Sequence, residues 1–282
     1  MALNFKSLLT RTLTAAVFVA ILLSAIFYSY LSFAALFFIV SLWGLFEFFK
    51  ISEILGAKPY KVMAYASAII LYSSVFMQNV GFRYTDMLFN ISIGFVFLIF
   101  PAALFSKNEK PVQDLSFTIL GILYSAIPFS ILNKLVCLGE TEMFGVPVYN
   151  PHLILGPILL IWASDSFAYL VGSMIGKRKL YEKISPGKTW EGTIGGGVLT
   201  LASSYIVAGW FPEIQFVHWL VISILVVVFG TIGDLFESLL KRRAGIKDSG
   251  KIMPGHGGIL DRFDSLIFVT PFVYLYLTWV LG

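Results

Sequence analysis

The stretch from Asp234 to Asp264, DLFESLLKRRAGIKDSGKIMPGHGGILDRFD, concentrates residue types that handle phosphate. Asp234, Ser238 and Lys241 follow an i, i+4, i+7 spacing and share one helix face; Asp261 and Asp264 are three apart and share a face of the following helix. Three carboxylates from two neighbouring helices are expected to converge on one point. Bare carboxylates that close repel one another, and a divalent cation removes the conflict. Carboxylates combined with substrate phosphates are the usual Mg²⁺ ligands in phosphoryl transfer. Between the two helices, Pro254-Gly255-His256-Gly257-Gly258 is a glycine-rich turn in which backbone N–H groups can approach an oxyanion. Lys241, Arg242, Arg243 and Lys247 surround it with positive charge. Anchoring to anionic lipid accounts for Arg243 and Lys251, and a loop residue such as His256 is as readily structural. Neither reading accounts for the aspartates or the glycine turn.

A second block, DSFAYLVGSMIGKRKLYEKISPGKTWEGTIGGG, spans residues 165–197. Asp165 lies inside an apolar stretch, where a carboxylate costs about 2.5–3.5 kcal/mol, so it is expected to face the bundle interior or a wet cavity. There it holds a cation, orients a basic residue, or simply bonds Ser164, Ser166 or Tyr169. Gly172 and Gly176, four apart, fit close helix packing. Ser185-Pro186-Gly187-Lys188-Thr189 has the look of a phosphate loop, but such a loop needs glycine at 182, where this chain has Glu182. What remains is hydroxyls, a glycine amide and Lys188 at the expected start of the next helix, where N–H groups and the helix dipole favour an anion. A helix cap with Glu191 in the first turn is compatible with that role.

These residues have to be positioned by membrane helices. The chain has 282 residues, 58% hydrophobic and only 13% charged, with a mean hydropathy of +0.85. A soluble domain carries roughly 25% charged and 45–50% apolar residues, so the apolar surplus must face lipid. Stretches of about 20 apolar residues fall near 13–29, 31–49, 62–80, 87–106, 115–134, 153–175, 194–212, 217–236 and 264–281. The fold class expected is an all-α integral membrane protein of about nine transmembrane helices, a single polytopic domain over 1–282. Residues 1–150 are expected to be mainly scaffold and 151–282 the catalytic half. The one cysteine, Cys137, excludes a disulfide framework or a multi-cysteine zinc site, and the three histidines lie far apart.

Alternating the nine spans places 18 of the 20 Lys and Arg residues on the side of the N-terminus, leaving only Arg83 and Lys134 opposite. That asymmetry makes the basic side cytoplasmic. It also argues against a cleaved signal peptide at 13–29, since a second span follows at once. Eleven of the 18 sit in 177–188 and 241–262, more than orientation requires, so an anionic ligand is expected there. The basic pI belongs to this membrane arrangement, and no nucleic-acid partner is expected.

Ser238-Leu-Leu-Lys241-Arg242, Lys247-Asp248 and Pro254-Gly-His256-Gly257-Gly258-Ile-Leu-Asp261-Arg262-Phe-Asp264 together resemble the signature of the phosphatidate cytidylyltransferases, or CDP-diacylglycerol synthases. The match spans 27 residues, from 238 to 264. Asp165, Ala168-Tyr169, Gly172, Gly176-Lys177 and Ser185-Pro-Gly-Lys188-Thr-Trp-Glu191-Gly192 are similar to the family's second common block, whereas the first half matches only in being hydrophobic. The resemblance implies an all-helical membrane enzyme that converts CTP and phosphatidic acid to CDP-diacylglycerol and pyrophosphate with Mg²⁺, as one ion or two. A homodimer is compatible with it.

On that reading Asp234, Asp261 and Asp264 hold metal, with Asp165 assisting. Lys241, Arg242, Lys188 and Arg262 neutralise phosphate. Gly257 and Gly258 offer amides, and Ser185, Ser238 and His256 complete the substrate site. Phosphatidate approaches sideways from the cytoplasmic leaflet, because about 0.8 kcal/mol per CH₂ forbids drawing its chains into water. The compact chain suits a bacterial inner membrane. Two alternatives remain open: a CTP-dependent polyprenol or lipid kinase, which would move the γ-phosphoryl group instead, and an ion or lipid transporter with Asp165 on its path. A transporter would be expected to carry internal repeats, and the sequence has none.

Overall fold

The computed structural model describes residues 5–83, 85–139, 141 and 146–281. Ten α-helices follow in order: α1 (Phe5–Tyr28), α2 (Tyr30–Ile54), α3 (Lys61–Asn79), α4 (Thr85–Leu104), α5 (Pro111–Gly121), α6 (Ile127–Leu135), α7 (His152–Ile175), α8 (Trp190–Trp210), α9 (Phe216–Arg243) and α10 (Leu260–Leu281). A π-helical turn at Ile122–Ala126 joins α5 to α6 into one span. Every expected apolar stretch is helical, and eight helices among the described residues are long and apolar enough to cross a membrane.

The ninth expected span, α3, forms but is more polar, because it carries Ser67, Ser74, Gln78 and Asn79. Ser67, Ser74 and Asn79 are buried, and the Ser67 and Ser74 hydroxyls donate to Met63 O and Leu71 O. The Asn79 amide donates to Asn133 O at 2.6 Å and to the Tyr30 hydroxyl at 3.0 Å.

The loops gather at two ends of the bundle. At one, the Lys58 N–H donates to Asp114, the Thr14 hydroxyl to Pro254 O, and Arg242 to Ile184 O. At the other, Tyr149 donates to Ile26 O, Asn79 meets Asn133, and His152 meets Glu213. This is the partition that alternating nine spans requires, with α3 running from the Lys58 end to the Asn79 end. The basic residues of 177–188 and 241–262 all belong to the first end.

Helices α7 to α10 pack as a group, and α10 joins them to α6 and α2. Close approach depends on glycine at a few positions. The Gly156 Cα lies against the Trp219 indole, whose Nε1 donates to Phe211 O, while Gly172 and Gly176 pack on Thr189. The expected packing role of these two glycines is what the structure contains.

Two short antiparallel strands interrupt the helical pattern: β1 (Lys179–Tyr181) and β2 (Ser185–Thr189). Residues 185–188 are therefore strand rather than helix start, and the first helical turn begins only after the Thr189 cap. Helix α8 begins at Trp190, four residues before the expected span, with Thr189 capping it by accepting from Gly192 N. Glu191 accepts from the Lys177 and Arg178 N–H groups, closing the hairpin onto the end of α7.

Candidate functional site

Helices α7, α9 and α10 with the 244–259 loop enclose a cavity of about 550 Å³ at the basic end. Asp165, Asp234, Glu237, Lys241, Arg242, His256, Asp261, Arg262 and Asp264 all border it, so most of the expected site residues are brought together. Its other wall is apolar, made by Phe18, Val19 and Leu22 of α1 with Ile158, Ile161 and Trp162 of α7. A second cavity of about 470 Å³ lies between α7, the hairpin and α8; it is bordered by Ser185, Gly187, Lys188, Thr189 and Thr193. Asp165 and Asp234 border both.

The spacing argument holds along α9. Ser238 Oγ donates to Asp234 Oδ1 at 3.3 Å, one turn apart, and Lys241 follows on the same face. The three-carboxylate convergence does not form. Among the described residues no three His, Cys, Asp or Glu side chains stand close enough together to hold a metal. Two lysines explain the difference. Lys188 Nζ forms an ion pair with Asp234 Oδ2. Lys241, 9% exposed, donates to Glu237 Oε2 and Asp261 Oδ1, both at 2.6 Å. Asp234, Glu237 and Asp261 are thus each paired with an ammonium.

Asp261 has both oxygens engaged. Oδ1 accepts from Lys241, while Oδ2 accepts from Gly258 N at 2.7 Å, Ser249 N at 2.8 Å and Ser249 Oγ at 3.0 Å. It works as the anchor of the glycine turn, not as a free ligand. The Gly258 amide, expected to face an oxyanion, is likewise turned inward onto Asp261. Gly257 has a φ of +85°, and a Cβ there would strike the Asp261 carboxylate.

Asp264 differs: Oδ1 accepts from Ser265 N at 2.6 Å, and Oδ2 borders the cavity without a partner among the described residues. Asp165 lies within electrostatic range of Asp234, Asp264, Lys188 and Arg262. Arg242 donates from Nε to Ile184 O and from Nη1 to Ile246 O, tying the hairpin to the loop. The His256 Nδ1 is buried at the cavity edge without a partner.

Two further carboxylates belong to the site. Glu237 is the buried partner of Lys241, and its position four residues before that lysine was a readable signal. Glu47 comes from α2, in the half expected to be scaffold, and is 2% exposed. It accepts from Ile259 N and Leu260 N, both at 3.0 Å, and from Ser249 Oγ at 2.8 Å. A negative charge thus caps the N-terminus of α10, where the free N–H groups and dipole favour it. The signal was present, since Glu47 is an ionisable residue inside an expected span.

As donors, the cavity carboxylates suit Mg²⁺ in kind: hard oxygens, with Asp264 Oδ2 free. The open donor set also suits an ion held by one or two carboxylates and completed by substrate phosphates, not a closed protein cage.

Comparison with known proteins gives the family. Residues 9–280 match the family model described as the cytidylyltransferase family. The phosphatidate cytidylyltransferase of Staphylococcus haemolyticus (strain JCSC1435) is 34% identical over 269 residues, 95% of this chain and 98% of that protein. The phosphatidate cytidylyltransferase of Bacillus subtilis (strain 168) is 36% identical over 232 residues, covering 80% and 83%. That of Staphylococcus saprophyticus subsp. saprophyticus is 35% identical over 238 residues, covering 83% and 87%. With charged cavity, lipid-facing helices and sequence in accord, this chain is a membrane nucleotidyltransferase and belongs to the cytidylyltransferase family.

Proposed function

We propose that the protein is a phosphatidate cytidylyltransferase of phospholipid biosynthesis, transferring the cytidylyl group of CTP to phosphatidic acid at the cytoplasmic face of a bacterial inner membrane. The observation that carries this reading is the mixed cavity, charged on α9 and α10 and apolar along α1 and α7. Such a lining accepts a phosphate while its alkyl chains stay among apolar side chains and lipid. The relatives' names supply the reaction, and the crowding of 18 basic residues at one end supports the orientation.

A phosphatidate oxygen attacks the α-phosphorus of CTP in line; the bond from that phosphorus to the bridging oxygen breaks, and pyrophosphate leaves. Positioning and charge neutralisation supply most of the acceleration. Lys188, on the hairpin that borders the second cavity, exchanges Asp234 for the polyphosphate. Arg262 and Arg242 add positive charge at the rim. Asp234 and Asp264 are the residues that would hold Mg²⁺, with Asp165 adding negative charge nearby. Mg²⁺, when bound, neutralises the polyphosphate. Lys241 and Asp261 act as positioning residues that hold the glycine turn against α9.

The test uses purified protein with Mg²⁺, phosphatidic acid and CTP labelled at the α or the γ phosphorus. Label from the α position in lipid, with γ label released as pyrophosphate, is expected. Transfer of γ label to a lipid alcohol would identify a CTP-dependent kinase instead.

A further inference from the structure

Outside the catalytic cavity, the last turns of α2 and the loop 246–252 form an open groove of about 800 Å³. Its bed is apolar and exposed: Trp43, Phe46, Ile54 and Ile252 are 39–56% accessible. Its rim carries Lys50, Lys247 and Lys251. Among the described residues, none of these three ammonium groups has a carboxylate partner. Lys50 Nζ rests instead over the Phe46 ring, 4.3 Å from its centre. Of the two acids on the groove, Glu47 is buried and committed to Ser249 and the start of α10, and only Asp248 is exposed.

We propose that this groove holds an anionic phospholipid that is not consumed, and that its headgroup orders the 246–252 loop and thereby the catalytic turn. The chemistry is complementary in both halves. Unpaired ammonium groups meet a headgroup phosphate, and the apolar bed, at the level where α2 leaves the spanning region, meets acyl chains. A soluble anion would use only the rim and leave the bed exposed. The path to the active site is short. Lys247 and Asp248 border both the groove and the catalytic cavity. The next residue, Ser249, bonds Glu47 on one side and Asp261 on the other. Fixing the lysines from outside therefore fixes the residue that holds Asp261.

The proposal rests on the cytidylyltransferase reading for its rate measurement but not for its binding measurement. The protein would be delipidated and placed in nanodiscs of pure phosphatidylcholine, or of an equal mixture with phosphatidylglycerol. Retained phosphatidylglycerol would be counted by native mass spectrometry, and cytidylyl transfer followed with trace short-chain phosphatidate. Wild type is expected to retain phosphatidylglycerol and to run several-fold faster in the mixed membrane. The pair Lys50→Gln/Lys251→Gln should match wild type in pure phosphatidylcholine but lose both the retention and the stimulation. Ile252→Asp, which leaves all three lysines in place, should lose retention as well. Equal retention or equal stimulation in wild type and the lysine variant would overturn the proposal, as would a wild type that neither retains nor responds. Selective retention with no transfer in any membrane would uphold the site and count against the catalytic reading alone.

Discussion

The carboxylate of Glu47 and the Cα of Gly258 sit so close that a methyl group on the glycine would overlap both carboxylate oxygens. They are 211 residues apart in the chain and come from opposite halves of the molecule. Gly250 meets the same carboxylate in the same way. Glycine at these two positions thus serves a buried acid as much as a flexible turn.

Gly258→Ala should therefore lower transfer strongly, since the alanine Cβ forces the turn away from Glu47 and pulls Asp261 with it. Gly94→Ala and Gly209→Ala are the controls, with open space around each and no left-handed backbone. Their activity and melting temperature should stay near wild type, as measured in detergent.

Glu47→Gln tests the same clamp electronically. Both carboxylate oxygens accept hydrogen bonds, and an amide can replace only one of them. Leaving a buried donor unpaired costs about 1–3 kcal/mol. At about tenfold in rate per 1.36 kcal/mol, a displacement of the glycine turn of that cost lowers transfer by about 10–100-fold. A fall of that size with a modest loss of melting temperature is expected. Unchanged kcat would show that the turn holds itself.

Lys241 lies between two acids, and removing its charge leaves them facing one another. Lys241→Met should lower stability by about 3–5 kcal/mol, the usual cost of breaking a buried pair from one side. Adding Glu237→Gln removes the worst-placed charge and should restore much of the melting temperature without restoring transfer. Recovery of activity in the double variant would remove Lys241 from the site's working parts.

Asp264→Asn should abolish turnover while the protein remains folded and inserted, and a chelator should stop wild-type transfer until Mg²⁺ is returned. Near-normal activity in that variant would remove Asp264 from metal binding. Thermal unfolding in detergent checks the folding half of the statement.

Lys188→Met should lower kcat/KM by about 10²–10³, the usual loss for one preorganised electrostatic contact. The loss should appear with CTP as the varied substrate, because Lys188 stands on the hairpin side of the cavity. An unchanged kcat/KM for CTP would leave Lys188 as the counter-ion of Asp234 and nothing more.

Much of this architecture was legible in residue order. The helical stretches follow from apolar length, and their alternation follows from where the lysines and arginines fall. The i, i+4, i+7 pattern of Asp234, Ser238 and Lys241 correctly placed one face of α9. What periodicity leaves undetermined is which charges pair across elements. Asp261 has two oxygens whatever its neighbours, and only the packed loop reveals that Ser249, Gly258 and Lys241 occupy both. Lys188 and Asp234 are 46 residues apart, so no spacing rule joins them. Glu47 was visible as an acid in an apolar stretch, but its partners begin some two hundred residues later. The hairpin at 179–189 is too short for strand periodicity to register.

The clamp on α10 also sets an order of assembly. Glu47 enters the membrane with the second helix, whereas Ser249, Ile259 and Leu260 lie more than 200 residues further along the chain. Until then a carboxylate in an apolar helix has no committed donors, a costly arrangement in lipid. Burial of that charge thus becomes available only with α10, so a chain truncated before α10 carries an unsatisfied acid in an apolar helix. The residue that steadies the site also registers whether α10 has arrived.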